Sequence, residues 1–209
     1  MQRYFKRVLA FLTATIMAMS IELPSGMFSS LSSLVTAKAA TVTATKPSGD
    51  GSADSPFQIG KYSELVWFQQ YVDKGNYSVN AILTADITAN TNLISNGTYV
   101  AANAKYTWTP IVRDADSNYY RGTFDGNGHT ISGLYVNDKK TEAAFIGQSN
   151  RSTIKNLYIT DSYFGGYFMT ATFVGYGPDS TIKNCGSDAV INDSTGSYCG
   201  GLAEEMQVG

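Results

Sequence analysis

Histidine is nearly missing from this chain: His129 is the only one in 209 residues. Cysteine is scarce too, with Cys185 and Cys199 alone. A structural zinc site needs four such ligands, so no metal and no cofactor are expected. Charged residues make up 15% of the chain, well below the usual quarter. The formal net charge is −2, so no basic surplus exists to neutralise phosphates, and nucleic acid is not an expected partner. Long apolar runs are few. Val8 to Ile21 is the only one, and it is short for a membrane span.

That run has the makings of an export signal. Arg3, Lys6 and Arg7 precede it, Glu22 and Pro24 stop it, and Ala37-Lys38-Ala39-Ala40 offers small residues for cleavage. Residues 1–39 are read as a signal peptide, with a retained anchor as the competing possibility. Their loss would remove four basic residues (Arg3, Lys6, Arg7, Lys38) and one acidic (Glu22). That leaves 11 basic and 16 acidic residues and a net charge of −5. No second apolar segment follows, so no membrane insertion is expected after cleavage. Export would permit a Cys185–Cys199 disulfide, but Cys185 falls where a repeat places Leu157, which suggests a small buried hydrophobe instead.

What is abundant is Gly, Ser, Thr, Asn and Tyr, the palette of short strands and tight turns. Residues 40–56, with Pro47 and Pro56, read as a flexible leader. Residues 57–80 read as an N-terminal cap with one helix. Ser63 is its expected N-cap, Glu64 suits the first turn, Leu65, Phe68 and Val72 share a face, and Gly75 ends it. Ala81 to Ile87 reads as a strand, Thr88 to Lys105 as a polar loop, and Trp108 to Val112 as a short strand limited by Pro110.

Residues 81–209 read as repeats. Thr130 to Val136 matches Thr153 to Ile159, 23 positions on, and Thr181 to Cys185 follows 28 later. Phe145-x-Gly147 returns as Phe173-x-Gly175 at the same spacing of 28. Such a period marks a solenoid, whose units bury their apolar faces only by stacking. Ile154 and Leu157 cannot share a face of one straight strand. They can if the chain turns a corner at Lys155-Asn156, as at Ser132-Gly133 and Lys183-Asn184. The fold expected is all-β: a parallel β-helix of about three to four coils with a short N-terminal capping helix. The register stacks Asn156 on Asn184, Ile154 on Ile182, Leu157 on Cys185 and Phe145 on Phe173. The last coil is expected to be half-built at Gly209, so the chain is expected to continue.

These residues resemble a family. Tyr120–Val136, Trp108–Ile111, Leu83–Ile87 and the Ser63–Asn76 stretch look like the start of bacterial surface proteins with GLUG-type repeats. The repeat pairs Ala144–Gly147 with Ile154–Leu157, and Thr172–Gly175 with Ile182–Cys185. The likeness spans about residues 57–203; Ala144 and Thr172 replace a leading Gly, and Cys185 replaces Leu. The resemblance implies a large secreted or wall-attached protein of Gram-positive or related bacteria, often an adhesin. Its partner would be an extracellular protein or glycan. Similar repeats flank the protease domain of some IgA-cleaving metallopeptidases. The His-Glu-x-x-His motif of that protease is absent here, so its activity does not carry over.

No catalytic constellation emerges. His129 follows a Gly-Asn-Gly turn and has no nameable partner. Asp114-x-Asp116-x-Asn118 with Asp125 has the spacing of a calcium loop, but Tyr119 stands where the sharp-turn Gly belongs. Asp138, Asp161 and Asp188 recur near the repeat length, and paired carboxylates could serve a glycosidase or lyase. Tyr135, Tyr158, Tyr163 and Tyr167 could form an aromatic stripe for sugar or protein, or serve as ordinary strand formers. The function read from this is a non-enzymatic secreted or cell-surface module, adhesive or structural. The alternative is a fragment of a carbohydrate-active enzyme.

Overall fold

A computed structural model describes residues 40–113, 118–138, 142–193 and 199–205. The expected signal peptide, Asp114 and Asp116 lie outside those residues. The chain is a succession of short strands whose neighbours are supplied by the next coil. The first sheet runs Phe57–Ile59, Ala81–Leu83, Thr123–Asp125, Thr153–Lys155, Thr181–Lys183. The second runs Ile87–Thr88, Thr130–Ser132, Tyr158–Thr160, Gly186–Ser187, and the third Tyr135–Asn137, Tyr163–Gly166, Val190–Asp193. Two further sheets complete the later coils. One pairs Thr170–Ala171 with Cys199–Gly200, and the other joins Ile146–Gln148, Val174–Tyr176 and Ala203–Glu205. All these pairings are parallel. The fold is a parallel β-helix.

Inward positions form columns along the axis. Ile154 lies between Phe124 and Ile182, Ile159 beside Ile131, and Phe164 between Val136 and Ile191. Phe124, Ile131, Val136, Ile154, Leu157, Ile159, Phe145 and Phe173 are all buried. Each such side chain contributes roughly 1.5–3 kcal/mol by leaving water. The corners work as anticipated. Gly133, Asn156 and Asn184 carry φ of 75°, 54° and 52°, which turns the chain and sends the following Leu134, Leu157 or Cys185 toward the core.

The register corrects one alignment. Ile131 does not stack on Ile154: it pairs with Ile159, 28 residues on, while Ile154 pairs with Phe124, 30 residues back. The turn Gly126 to His129 adds two residues at that corner, which accounts for the difference. Thr130 to Val136 and Thr153 to Ile159 resemble each other because both are strand, corner, strand. They occupy different sides of neighbouring coils.

Other expectations also change. Ala81 to Ile87 is not one strand but Ala81–Leu83, a bend, and Ile87–Thr88, so it forms a short coil of its own. Trp108 to Val112 is not a strand. Ile111 makes a single bridge to Ile146, and Val112 sits at φ 51° with its N–H on Asp73 Oδ1 at 2.8 Å. The helix spans Tyr62–Asp73, with Lys61 rather than Ser63 at the N-cap and no side-chain cap bond there. Glu64 reaches back instead and accepts the Gly60 N–H at 2.8 Å. Leu65, Phe68 and Val72 face the core, with Phe68 against Phe124 at 5.9 Å between ring centres, and the Gly75 N–H closes the helix on Val72 O. The expected leader is held to the body. Ala40 N–H bonds Lys105 O, Thr45 N–H bonds Ser63 O, Ser48 O accepts from Gln58, and Gly51 O accepts from Asn80.

Candidate functional site

In-register stacking turns every outward position into a row, with neighbours ~4.8 Å apart. Any functional surface of this fold is therefore a set of rows on an outer face. The third sheet carries Tyr135, Tyr163 and Val190 in one row and Asn137, Gly165 and Asn192 in the next. The row is covered. A hairpin, Ile94–Ser95 with Thr98–Tyr99, lays Tyr99 on it, 4.1 Å from Tyr163 and 5.4 Å from Tyr135 between ring centres. Its turn places Asn96 and Gly97 at φ 50° and 73°, a primed turn suited to a tight hairpin. Asn137 donates to Tyr135 Oη at 3.1 Å and Asn192 to Tyr163 Oη at 3.0 Å. Tyr163 is buried beneath this strap. Two of the four singled-out tyrosines thus pack a structural layer.

The three aspartates do not converge. Asp161 and Asp188 share a corner on neighbouring coils, where Asp188 Oδ1 accepts the Asp161 N–H at 2.9 Å. Asp161 Oδ1 accepts the Ile94 N–H at 2.7 Å and so anchors the hairpin. Asp138 lies elsewhere on the coil, ion-paired with Arg113 at 2.8 Å. Asp125 is occupied as well. It accepts from the Asn127 N–H at 2.8 Å and Asn156 Nδ2 at 3.0 Å, and pairs with Lys155 at 3.0 Å. Burial pushes its carboxyl up, but these three groups outweigh that and hold it below the usual carboxylate range.

His129 has a partner that sequence reasoning did not name. Its Nδ1 lies 3.2 Å from Asp86 Oδ1, which also accepts the Thr130 N–H at 2.9 Å. The Thr130 N–H first, then His129, hold the Asp86 carboxyl below its ordinary value. The pair stands at the margin of the second sheet. There Thr130, Tyr158 and Gly186 are register partners, and the pairing of Ile87 with Ile131 sets Asp86 beside Thr130. Thr88, Ser132 and Thr160 make the adjacent row. Tyr158 is 52% exposed. Tyr167, with Phe168, is exposed at the turn between the Tyr163–Gly166 and Thr170–Ala171 strands. Cys185 and Cys199 are free thiols; the Cys185 sulfur points to Lys183 O and Ile154 O at 3.3 and 3.7 Å. Among the described residues no group of three or more His, Cys, Asp or Glu could hold a metal ion, and no helix is long and apolar enough to cross a membrane.

No family model matches the chain. Halomucin of Haloquadratum walsbyi (strain DSM 16790 / HBSQ001) is 28% identical over 166 residues, covering 76% of this chain and 2% of Halomucin. Among solved structures, a candidate immunoglobulin A1 protease from Bacteroides ovatus superposes with a TM-score of 0.53 at 18% identity. That match covers 77% of this chain and 56% of the other. At such identity the likeness shows the fold alone. The chain spans about half of that structure and a small fraction of Halomucin.

Proposed function

We propose that this chain is a non-enzymatic β-solenoid module of a secreted or cell-surface protein, adhesive or structural, with an extracellular protein or glycan as partner. The observation that carries this reading is the use made of the stacked carboxylates. Asp161 and Asp188 bond backbone N–H groups of the fold, and Asp138 pairs with Arg113 at another corner. Glycoside hydrolysis needs two carboxyl groups free to act on the bond between them, whereas these are engaged in holding the chain. The charged and apolar N-terminal stretch supports an extracellular location, and so does the kinship with Halomucin. The repeat signatures at Phe145–Gly147 with Ile154–Leu157, and at Phe173–Gly175 with Ile182–Cys185, support membership among GLUG-type surface proteins. A fragment of a carbohydrate-active enzyme is the competing reading, because Asp161 and Asp188 do stand on adjacent coils.

The test has two arms. The full chain is displayed on a non-adherent bacterium and adherence to epithelial, mucin-coated and polysaccharide-coated surfaces is compared with the empty carrier. The purified chain is incubated with pectin, glycosaminoglycans and β-glucans, with and without calcium. Adherence without turnover is the expected result. Turnover that Asp161→Asn or Asp188→Asn abolishes would overturn it.

A further inference from the structure

We propose that the open outer face of the second sheet is a binding platform for a neutral saccharide, with Tyr158 as its stacking surface and Asp86 as its hydrogen-bond acceptor. This rests on the adhesive reading above and names the ligand class.

The case begins with what separates Tyr158 from the other strand tyrosines. Tyr135 and Tyr163 lie under Tyr99 and have their hydroxyls engaged by Asn137 and Asn192. Tyr158 stacks on no other ring among the described residues and is half exposed. Ile159 points inward and is fully buried, so alternation sends Tyr158 and Thr160 outward. The next position in its row is Gly186, and the ring rests there. A Cβ added to Gly186 would lie 2.8 Å from Tyr158 Cε1. Only glycine lets the ring tip over the neighbouring strand, which leaves a ring face for a ligand.

The remainder of the row is polar. Thr130 is the neighbour on one side, and Asp86 stands beyond it. Asp86 has 73% of its side chain exposed. Its Oδ1 holds Thr130 and His129, while its Oδ2 has no hydrogen bond from the described residues. The carboxylate is kept ionised by that Thr130 N–H and by His129, so Oδ2 remains an acceptor through the neutral pH range. Thr88, Ser132 and Thr160 add a row of hydroxyl side chains alongside.

The backbone positions of Tyr158 and Asp86 lie two strand spacings apart, about 10 Å, and the ring, tipped over Gly186, lies farther still from the carboxylate. That distance argues against a small cation, because one ammonium group cannot meet both. It suits an oligosaccharide. A pyranose presents apolar C–H groups on its face and hydroxyls at its rim, and one strand spacing is close to the length of one sugar. A chain laid along the axis sets one sugar on Tyr158 and the hydroxyls of another on Asp86. The acidic balance of the chain favours a neutral glycan over a uronate or sulfated one.

The experiment uses the full chain against immobilised gluco-, galacto-, manno- and N-acetylglucosamine oligosaccharides, followed by calorimetric titration of any that bind. Binding of at least one series is expected. Tyr158→Ala should weaken it about tenfold, the scale of one lost aromatic stack, and Tyr158→Phe should keep it. Asp86→Asn keeps the Oδ1 acceptor for Thr130 and should weaken binding several-fold, while Tyr167→Ala on another face should leave it unchanged. These are surface positions, and an unchanged unfolding curve confirms that the variants fold. Failure of every oligosaccharide to bind, or binding indifferent to Tyr158→Ala, overturns the platform. If the displayed chain still adheres, the adhesive reading survives that result. If saccharides bind through Tyr158 while the displayed chain does not adhere, the platform stands and the adhesive reading falls.

Discussion

Asn184 donates its side-chain amide to Asn156 Oδ1 at 3.1 Å, and Asn156 donates in turn to Asp125 Oδ1 at 3.0 Å. Three successive coils are thus tied along one corner by a side-chain ladder that adds to the main-chain bonds there, such as Asn156 N–H to Lys183 O at 2.9 Å. Both asparagines hold positive φ, 54° at Asn156 and 52° at Asn184, so each serves the turn and the ladder together. The two roles can be separated. Asn156→Ala loses a hydrogen bond on each side, about 1–2 kcal/mol in all, and adds roughly 1 kcal/mol for alanine in the left-handed region. Asn156→Gly loses only the ladder. Asn184→Ala, at the exposed end, should cost less than Asn156→Ala. Denaturant unfolding of the three variants gives the order. Equal stability of Asn156→Ala and the parent would show that the ladder adds nothing.

Asn90 holds a different kind of junction. It is buried and makes four hydrogen bonds to main chain. Its Nδ2 donates to Gly133 O at 2.8 Å and Tyr106 O at 2.9 Å, and its Oδ1 accepts from Lys105 and Tyr106 N–H, both at 2.9 Å. Asn90→Ala would leave Gly133 O, Tyr106 O and the Tyr106 N–H unpaired, while the Lys105 N–H keeps Asn103 O at 3.1 Å, so the cost is about 3–5 kcal/mol. Gly133→Ala attacks the same junction from the other side, because its Cβ would come within 1.9 Å of Asn90 O while φ stands at 75°. Both variants should unfold at markedly lower denaturant concentration. A loss below about 1 kcal/mol for Asn90→Ala would mean that water replaces the side chain without cost.

These three asparagines also mark how far the sequence could be read. Asn156 and Asn184 were legible because each sits between an inward Ile and an inward Leu or Cys, a spacing that only a corner explains. The corner type was readable; its address was not. Thr130 to Val136 carries the same local signature as Thr153 to Ile159, and the two-residue excess at Gly126–His129 moves it to another side of the coil. Asn90 looked like any residue of a polar loop, since its partners lie 15 to 43 positions away. The same holds for Asp86, 43 positions from His129, and for Tyr99, which meets the tyrosine row only through tertiary folding. Ser63 failed as a cap because Glu64 already serves the Gly60 N–H, which moves the helix start upstream. Inward columns follow from local periodicity, whereas outer-face chemistry depends on which coils meet.

Two aspartates set opposite pH responses. Hydrogen bonds and Lys155 hold the Asp125 carboxyl below the unfolded value of about 3.9. Its folded form resists protonation, so its contribution is complete above about pH 3.9 and is lost as pH falls toward the folded value. Asp73 runs the other way. Burial raises its carboxyl, more than the hydrogen bond from Val112 N–H and that from Gln69 lower it. Its folded form holds a proton more readily, so stability declines as pH rises from about 3.9 through the raised folded value. Asp125→Asn should therefore lower Tm at neutral pH and flatten its fall in acid. Asp73→Asn keeps an acceptor for Val112 and removes the cost of ionising a buried group, so its advantage over the parent should grow as pH rises. Tm measured for the three proteins between about pH 3 and pH 7 tests both signs. An acid slope for Asp125→Asn identical to the parent's would mean that the ion pair with Lys155 and the bond to Asn156 do not couple to folding.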